Sequence, residues 1–305
     1  MIDIFVNDET SPLKAVILGA ARRIGRTPHF EEAYDPKSKE HIIAGTYPKE
    51  ADMVAEIKAF SNVLEKYGVK VYRPEIIEDY NQIFARDIGF VIEDKFIQPT
   101  ILKDRKEEIK GIQYILDEID SQQLVVVPEG VRIEGGDVMP WKDHIFVGYS
   151  EKEDFDKYVV ARTNRAGLDF LTKEFPNKKV KGFQLNKSDE VAKDNALHLD
   201  CCFQPIGKNE AIIYKGGFKF EEDYNYLKEY FGEENLIHIN RDEMYEMNSN
   251  VFSISPKVVV LEKNFTRLAT VLEKRGFTVE KVPYSEISKM EGLLRCSTLP
   301  LERAK

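Results

Sequence analysis

The chain has 305 residues, with 44 lysines and arginines against 53 aspartates and glutamates, and a formal net charge of -9. This acidic balance argues against a nucleic-acid-binding protein, which normally presents a basic stripe. The longest apolar runs are far below the ~18 residues of a membrane span. The first residues do not resemble a secretory signal, and three cysteines are too few for a disulfide scaffold. We therefore predict a cytoplasmic protein with reduced cysteines.

An α/β pattern occurs five times along the chain. Each unit contains one or two short apolar strands, then a stretch with helical periodicity, and then a further strand. The units begin near residues 14, 87, 137, 200 and 250, and their helices are predicted at 49–67, 106–119, 162–175, 220–231 and 264–275. Glycines that can end a helix in the left-handed conformation follow three of these helices, at Gly68, Gly232 and Gly276.

The way in which these units assemble follows from what the sequence lacks. No GxGxxG or GxxxxGK[ST] loop follows any strand, which disfavours a doubly wound nucleotide-binding sheet. Five ββαβ units can instead close radially, with helices outside and strands around a central site, and this protects the sheet edges. No linker rich in proline, glycine or serine divides the chain. The sequence therefore predicts a single domain over residues 1–305, built as a five-bladed α/β propeller.

Residues with reactive or charged side chains recur at one place in most units, before or at the start of the first strand. In a radial fold, equivalent positions of the units lie close together around the axis. The candidates are Asn81 and Asp87 in NQIFARD, Glu134 and Asp137 in EGGD, His198 and Asp200 in HLD, Asn248 to Asn250 in NSN, and, near the C-terminus, Cys296 in GLLRCSTLP.

This set of residue types indicates a class of chemistry. A thiolate beside an imidazole forms a nucleophile and an acid/base pair. Several carboxylates around a thiol raise its pKa and repel anions, so the substrate should carry a positive charge. A guanidinium fits, because it is planar, always charged, and pairs with carboxylates through two parallel hydrogen bonds.

At these motifs the sequence resembles the guanidino-group-modifying superfamily: arginine deiminases, dimethylarginine dimethylaminohydrolases and glycine or inosamine amidinotransferases. The resemblance extends from about Lys14 to Leu301. It implies the five-bladed propeller known as the pentein fold. It also implies a covalent amidino-cysteine intermediate and no metal or organic cofactor.

The resemblance also implies a role for each matching residue. Cys296, in the C-terminal GxxxC pattern, is expected to be the nucleophile, His198 the general acid/base, and Glu134 the residue that orients His198. Four further residues are expected around the substrate: Asp87 and Asp200 as guanidinium clamps, Asp137 as an additional contact, and Asn81 in the pocket wall.

A further match concerns one branch of the superfamily. FVGYS (146–150) and ARTNRAG (161–167) resemble the FVGLS-x-RTN-x-x-G stretch of the dimethylarginine hydrolases. Arg162 matches the Arg that holds the substrate α-carboxylate in those enzymes. The insertion at 151–160 departs from the pattern and is a candidate rim of the pocket.

Two polar segments have no match to the motifs. Segment 21–49 is long and poorly periodic, which is typical of a functional loop. We interpret it as a lid, with Arg22, Arg23 or Arg26 as candidate substrate contacts, and a plain surface loop is the alternative. The charged run KDRKEEIK (103–110) is typical of a solvated helix face.

Cys201 and Cys202 are adjacent on a predicted strand. Neighbouring strand residues point to opposite faces, which disfavours a shared metal site. The same alternation places Cys202 on one face with His198 and Asp200, at the border of the pocket.

The sequence therefore predicts a cysteine-dependent hydrolase that converts arginine or an N-substituted arginine into a citrulline-type product and ammonia or an amine. The first alternative is an amidinotransferase that passes the amidino group from arginine to an acceptor amine. Hydrolysis of a guanidine that is not an amino acid, and a non-catalytic guanidine-binding protein of the same fold, also stay open. The expected partner is a small guanidino substrate, not a nucleic acid or a membrane, and a homo-oligomer stays open.

Overall fold

Fifteen short strands form five three-stranded sheets in the computed structural model, which describes residues 1–305. In every sheet the central strand pairs antiparallel with one neighbour and parallel with the other. The five repeats in the sequence correspond to these sheets, and the predicted five-bladed α/β propeller is confirmed. The strands are β1 (Leu13–Leu18), β2 (Lys70–Tyr72), β3 (Phe90–Ile92), β4 (Lys95–Gln98), β5 (Leu124–Val126), β6 (Val138–Trp141), β7 (His144–Tyr149), β8 (Lys179–Gln184), β9 (Phe203–Ile206), β10 (Glu210–Ile213), β11 (Leu236–His238), β12 (Phe252–Ser255), β13 (Val258–Glu262), β14 (Thr278–Val282) and β15 (Thr298–Arg303).

The first blade differs from the other four in how it is completed. Four blades use three consecutive strands, whereas the first blade has the order β15-β1-β2. Its antiparallel outer strand therefore comes from the C-terminal end of the chain, and Leu18 pairs with Thr298. This pairing closes the ring and places Cys296 just before the closing strand.

All helices except α7 (Arg241–Tyr245), which connects two blades, lie between the second and third strands of a blade. Helix α2 shows why the pattern predicted a helix, since Met53, Ile57, Phe60 and Leu64 recur on one buried face. The helices are α1 (Pro36–Ile43), α2 (Glu50–Lys66), α3 (Gln113–Leu116), α4 (Lys152–Lys157), α5 (Arg165–Glu174), α6 (Glu221–Phe231), α7 (Arg241–Tyr245) and α8 (Thr266–Lys274). None of them is both long and apolar enough to cross a membrane.

The second blade departs from the prediction of a continuous α-helix. The first half of the predicted helix belongs to a 3₁₀ helix over Lys103–Ile112, and only Gln113–Leu116 is α-helical. Gly111 packs tightly here, because a Cβ atom on it would lie 2.8 Å from the carbonyl oxygen of Glu75. The close approach and the tighter helical turn reorient the charged side chains of this segment, with consequences for the site.

A buried network of charged groups fills the centre of the ring. Arg295 is fully buried, and its Nε and Nη2 donate to the two carboxylate oxygens of Glu9 at 3.1 and 3.0 Å. Its Nη1 donates to Asp200 Oδ2 at 2.9 Å, and its Nη2 also donates to the carbonyl oxygen of Val138 at 2.8 Å. Burial alone would raise the pKa of Glu9, but Arg295 and Arg86 lower it to about 2. Glu9 is therefore ionised, and one guanidinium joins the N-terminal segment to two blades.

We expect Glu9→Gln to lower the free energy of unfolding by about 3–5 kcal/mol, because breaking a buried pair leaves an uncompensated charge. Chemical denaturation checks this. Glu118→Gln is the matched control, since Glu118 pairs only with the exposed N-terminal amine and its loss should cost within about 0.5 kcal/mol. Equal effects of the two substitutions would contradict the expectation.

Candidate active site

A cavity of about 810 Å³ lies where the loops before the first strands of the blades meet. Five predicted site residues are part of its wall. The other three, Glu134, Asp137 and Asp200, are at most 1% exposed and lie outside the wall. The five in the wall are Asn81, Asp87, Arg162, His198 and Cys296.

His198 lies between two carboxylates. Its Nε2 is 2.9 Å from Glu134 Oε2, and its Nδ1 is 4.0 Å from Asp87 Oδ1. The EGGD motif makes room for the ring, because a Cβ atom on Gly136 would lie 2.5 Å from His198 Nδ1. The structure therefore explains why a glycine is required between Glu134 and Asp137.

The charge of this pair follows from its surroundings. Burial alone would lower the pKa of His198, but Asp87, Asp137 and Glu134 together raise it to about 9. Burial alone would raise the pKa of Glu134, but Arg162 and His198 lower it to about 2. At neutral pH the pair is an imidazolium and a carboxylate, so His198 has protons to donate on both ring nitrogens.

Cys296 is buried and held by Asn250. Its backbone N–H donates to Asn250 Oδ1 at 3.1 Å, and Asn250 Nδ2 donates to its Sγ at 3.2 Å. Its Sγ also lies 3.6 Å from Asp200 Oδ2. Burial, followed by the charges of Asp200 and Asp87, raises the pKa of this thiol well above its usual range. In the free protein Cys296 is therefore a neutral thiol.

Asp87 is engaged by an arginine that the sequence did not single out. Arg105 Nη1 donates to Asp87 Oδ2 at 2.8 Å, and the same guanidinium donates to Glu108 at 2.8 and 3.0 Å. The interpretation of 103–110 as a solvated face is wrong here, since Glu108 is 2% exposed. The cause is the 3₁₀ helix, in which residues three apart lie on one face. The three-residue spacing of Arg105 and Glu108 is the only sequence signal for this pair, and it lies within a run of alternating charges.

Two expected substrate contacts lie behind the wall. Asp137 Oδ1 accepts from the backbone N–H of Leu199 at 3.0 Å, so it holds the loop that carries His198. The expected contact of Asp137 with the substrate stays a prediction. Asp200 is bonded to Arg295 and sits beside the sulfur of Cys296, so its expected contact with the substrate stays a prediction.

Arg162 lies in the cavity wall although it is almost fully buried. Its Nη1 is 3.7 Å from Glu134 Oε1, and its guanidinium carbon is 5.9 Å from the ring centre of Tyr34. The insertion at 151–160 adds no residue to this wall, so the expected rim is wrong. The backbone N–H groups at the end of the insertion instead donate to the carboxylate of Asp189.

Segment 21–49 forms one side of the cavity. Residues between 24 and 47 contribute to the wall, including Tyr34 and Arg26, whereas Arg22 and Arg23 do not. Arg26 is ion-paired with Glu32 at 2.7 Å. Opening and closing of this segment as a lid stays a prediction.

The two adjacent cysteines do not follow strand geometry. Leu199–Cys201 is a turn of 3₁₀ helix, so side chains do not alternate between faces there. Cys202 is fully buried outside the cavity wall, and a Cβ atom on Gly217 would lie 2.3 Å from its Cβ. Its expected place at the border of the pocket is wrong.

Asp87, Glu134 and His198 are also the residues that could hold a metal ion, since their ligand atoms lie within 4.8 Å of one another. These three side chains are only partly suited to a metal ion, because arginines lie beside both carboxylates. Arg105 already pairs with Asp87, and Arg162 lies beside Glu134. Two guanidinium groups next to the carboxylates disfavour a divalent ion at this position.

The comparison with protein families identifies the class of protein that this site defines. Residues 39–303 match the family described as N,N dimethylarginine dimethylhydrolase, eukaryotic. The match covers most of the chain, so the chain belongs to this family, within the superfamily of guanidino-group-modifying enzymes.

Individual relatives are more distant. The Bacillus subtilis protein YkgA is 29% identical over 225 residues, which are 73% of this chain and 71% of YkgA. SxtG, an amidinotransferase from Microseira wollei, has a similar structure with a TM-score of 0.76 and 17% identity, covering 99% of this chain and 98% of SxtG. The N-terminal domain of ArgZ, a cyanobacterial arginine dihydrolase, has a TM-score of 0.77 and 15% identity, covering 95% and 97%. These two likenesses support the fold.

We expect Glu134→Gln to lower the pKa of His198 by roughly one unit or more, because it removes an anion that stabilises the imidazolium. NMR titration of the imidazole checks this against the wild-type value of about 9. Glu233→Gln is the control, since Glu233 contacts only the exposed His238 among the histidines and should leave His198 unchanged. The same midpoint for His198 in wild type and Glu134→Gln would contradict the assigned ion pair.

Proposed function

We propose that the protein hydrolyses the guanidinium group of arginine or an N-substituted arginine through a covalent intermediate on Cys296. The observation that carries this proposal is the presence of a thiol, an imidazolium and a carboxylate in one cavity: Cys296, His198 and Asp87. Membership of the dimethylarginine dimethylhydrolase family supports it. A structure of ArgZ covalently bound to a reaction intermediate supports a covalent route in a protein of this fold.

The carboxylate of Asp87 is prepared for a cation. Oδ2 accepts from Arg105, but Oδ1 is buried without any hydrogen-bond partner. A buried acceptor without a donor is costly, by about 1–3 kcal/mol. An N–H of a substrate guanidinium would satisfy this oxygen and place the guanidinium carbon in the cavity with Cys296.

Substrate binding activates the nucleophile in this proposal. Burial, together with the charges of Asp200 and Asp87, raises the pKa of Cys296 and keeps its thiol protonated in the free protein. A guanidinium placed among these carboxylates offsets their effect, lowers the pKa of the thiol and lets its proton leave to solvent. The thiolate then attacks the guanidinium carbon and forms a carbon–sulfur bond.

His198 moves the protons of the later steps. The imidazolium donates a proton to the departing nitrogen, and ammonia or an amine leaves. The neutral imidazole, still held by Glu134, then takes a proton from a water molecule that attacks the amidino carbon. The carbon–sulfur bond breaks, and the products are a ureido compound and the free cysteine.

A second candidate function is transfer of the amidino group to an acceptor amine in place of water. Two observations favour keeping it: the likeness to SxtG and the size of the cavity. At about 810 Å³ the cavity is in the upper part of the range for small-molecule sites, so it has room for a second small molecule.

We expect Cys296→Ser to reduce turnover by roughly 10⁴-fold or more, as removal of a catalytic nucleophile does in other enzymes. We expect His198→Ala to stop breakdown of the covalent intermediate, so that any amidino adduct still formed on Cys296 is trapped and visible by mass spectrometry of the quenched protein. Cys202→Ala is the control, because Cys202 lies outside the cavity wall and should keep its activity. Retained turnover in Cys296→Ser would refute the mechanism.

We expect arginine or a methylated arginine to give citrulline without an acceptor amine. We also expect Arg162→Ala to raise the KM for that substrate roughly 10- to 100-fold, because a charge-assisted contact with the substrate carboxylate is lost. Agmatine lacks the carboxylate, so its KM should change little. Mass spectrometry of products from each guanidine, with and without glycine or ornithine, makes the measurement. Product formed only with an acceptor amine would favour the amidinotransferase. Turnover of arginine that is unaffected by Arg162→Ala would favour a guanidine substrate that is not an amino acid.

A further inference from the structure

Lys187 is a charged side chain close to the site that has no role in the mechanism above. It lies in the connection between β8 and β9, which also carries His198. The backbone N–H of Ala196 donates to the carbonyl oxygen of Asn186 at 2.9 Å, so this connection folds back on itself. The reversal places Lys187, the next residue after Asn186, beside the residues that precede His198.

The ammonium group of Lys187 binds the returning backbone. Its Nζ donates to the carbonyl oxygen of Ala196 at 2.8 Å and to that of Leu197 at 2.7 Å. The Lys187 side chain is half-buried, and Ala196 is buried. Hydrogen bonds from a charged donor are stronger than those between neutral groups, so one side chain holds two successive carbonyl groups in place.

The peptide groups on the two sides of His198 are therefore both bound by charged side chains. The carbonyl group of Leu197 belongs to the peptide group before His198, and Lys187 holds it. The N–H of Leu199 belongs to the peptide group after His198, and Asp137 accepts from it at 3.0 Å. A residue has only two soft backbone torsions, so fixing both peptide planes fixes those of His198, at φ -132° and ψ 171°.

The position of the His198 ring depends on these torsions, because they set the direction of the side chain and its allowed rotamers. The ring packs against Gly136, where a Cβ atom would lie 2.5 Å from Nδ1, and its Nε2 is 2.9 Å from Glu134 Oε2. Contacts this close leave little room for a displaced ring. Rotation of either peptide plane would therefore weaken the pairing of His198 with Glu134.

We propose that Lys187 is a positioning residue for His198. This inference rests on the proposed function, in which His198 transfers protons, and it adds a residue on which that transfer depends. Lys187 lies outside the cavity wall, so it acts through the backbone of His198 and not on the substrate. Proton transfer needs a donor within hydrogen-bonding distance of the departing nitrogen, and Lys187 holds the imidazolium where it meets that condition.

Lys187→Met tests the proposal, because methionine keeps much of the side-chain length and removes the N–H donors. For the guanidine that the wild type turns over, we expect kcat to fall roughly 10- to 100-fold and KM to change less than about threefold, since a small displacement of a catalytic group costs rate. Lys187→Arg keeps a charged donor and should restore most of kcat. Equal kcat values in Lys187→Met and wild type would overturn the proposal.

NMR titration of the His198 imidazole separates positioning from a purely electrostatic effect. Loss of the positive charge of Lys187 alone would raise the pKa of His198 above the wild-type value of about 9. A ring that is no longer held against Glu134 loses stabilisation of its charged form, so loss of positioning lowers this pKa, by roughly half a unit or more. We expect the lower midpoint in Lys187→Met and the wild-type midpoint in Lys187→Arg. An unchanged or raised midpoint in Lys187→Met would contradict positioning.

Lys178→Met is the matched control. Lys178 is also a buried lysine whose Nζ donates to a backbone carbonyl oxygen, that of Lys142 at 2.5 Å, but it does not bind the connection that carries His198. We expect this variant to be less resistant to chemical denaturation than the wild type, with the kcat and the His198 midpoint of the wild type. Equal losses of kcat in Lys178→Met and Lys187→Met would show general destabilisation and would overturn the role of Lys187.

The NMR measurement does not require turnover, so it distinguishes this proposal from the proposed function. A wild type that turns over no guanidine would refute the proposed function. A lower His198 midpoint in Lys187→Met, restored in Lys187→Arg, would still establish that Lys187 positions His198.

Discussion

The structure depends on one buried guanidinium, that of Arg295. A charge with no access to water is tolerated only if it is fully paired, and Arg295 meets that condition through Glu9, Asp200 and backbone carbonyls such as that of Val138. These partners belong to the N-terminal segment and to two blades, so the pairing fixes their relative positions. Cys296 is the next residue along the chain, and its surroundings are therefore set by the same interaction.

The active-site charges follow the same rule of pairing. Asp87 has Arg105, Glu134 has His198 and Arg162, and Asp200 has Arg295. Pairing compensates the charges of these buried side chains and directs their unused oxygens. Asp87 Oδ1 remains without a hydrogen-bond partner, and this is the oxygen at which we propose that a substrate guanidinium binds.

The sequence predicted the parts of this architecture that have a local signal. Strand alternation and the apolar face of α2 identified the five units, and the short motifs identified the wall residues His198 and Cys296. Pairing of β1 with β15 could not be predicted, because strands at opposite ends of the chain leave no local trace. Arg105 was missed because a 3₁₀ helix and an α-helix place the same charged run on different faces.

The pairing of β1 with β15 has a consequence for how the site comes into being. Contacts between distant parts of a chain form late in folding, because their loops are entropically expensive to close. Cys296 stands just before the strand that closes the ring, and its partners Asn250 and Asp200 belong to earlier blades. A chain that lacks that strand cannot complete the first blade, and the contacts that hold the thiol depend on the closed ring. In the proposed function Cys296 is therefore placed for reaction only once β15 has closed the ring.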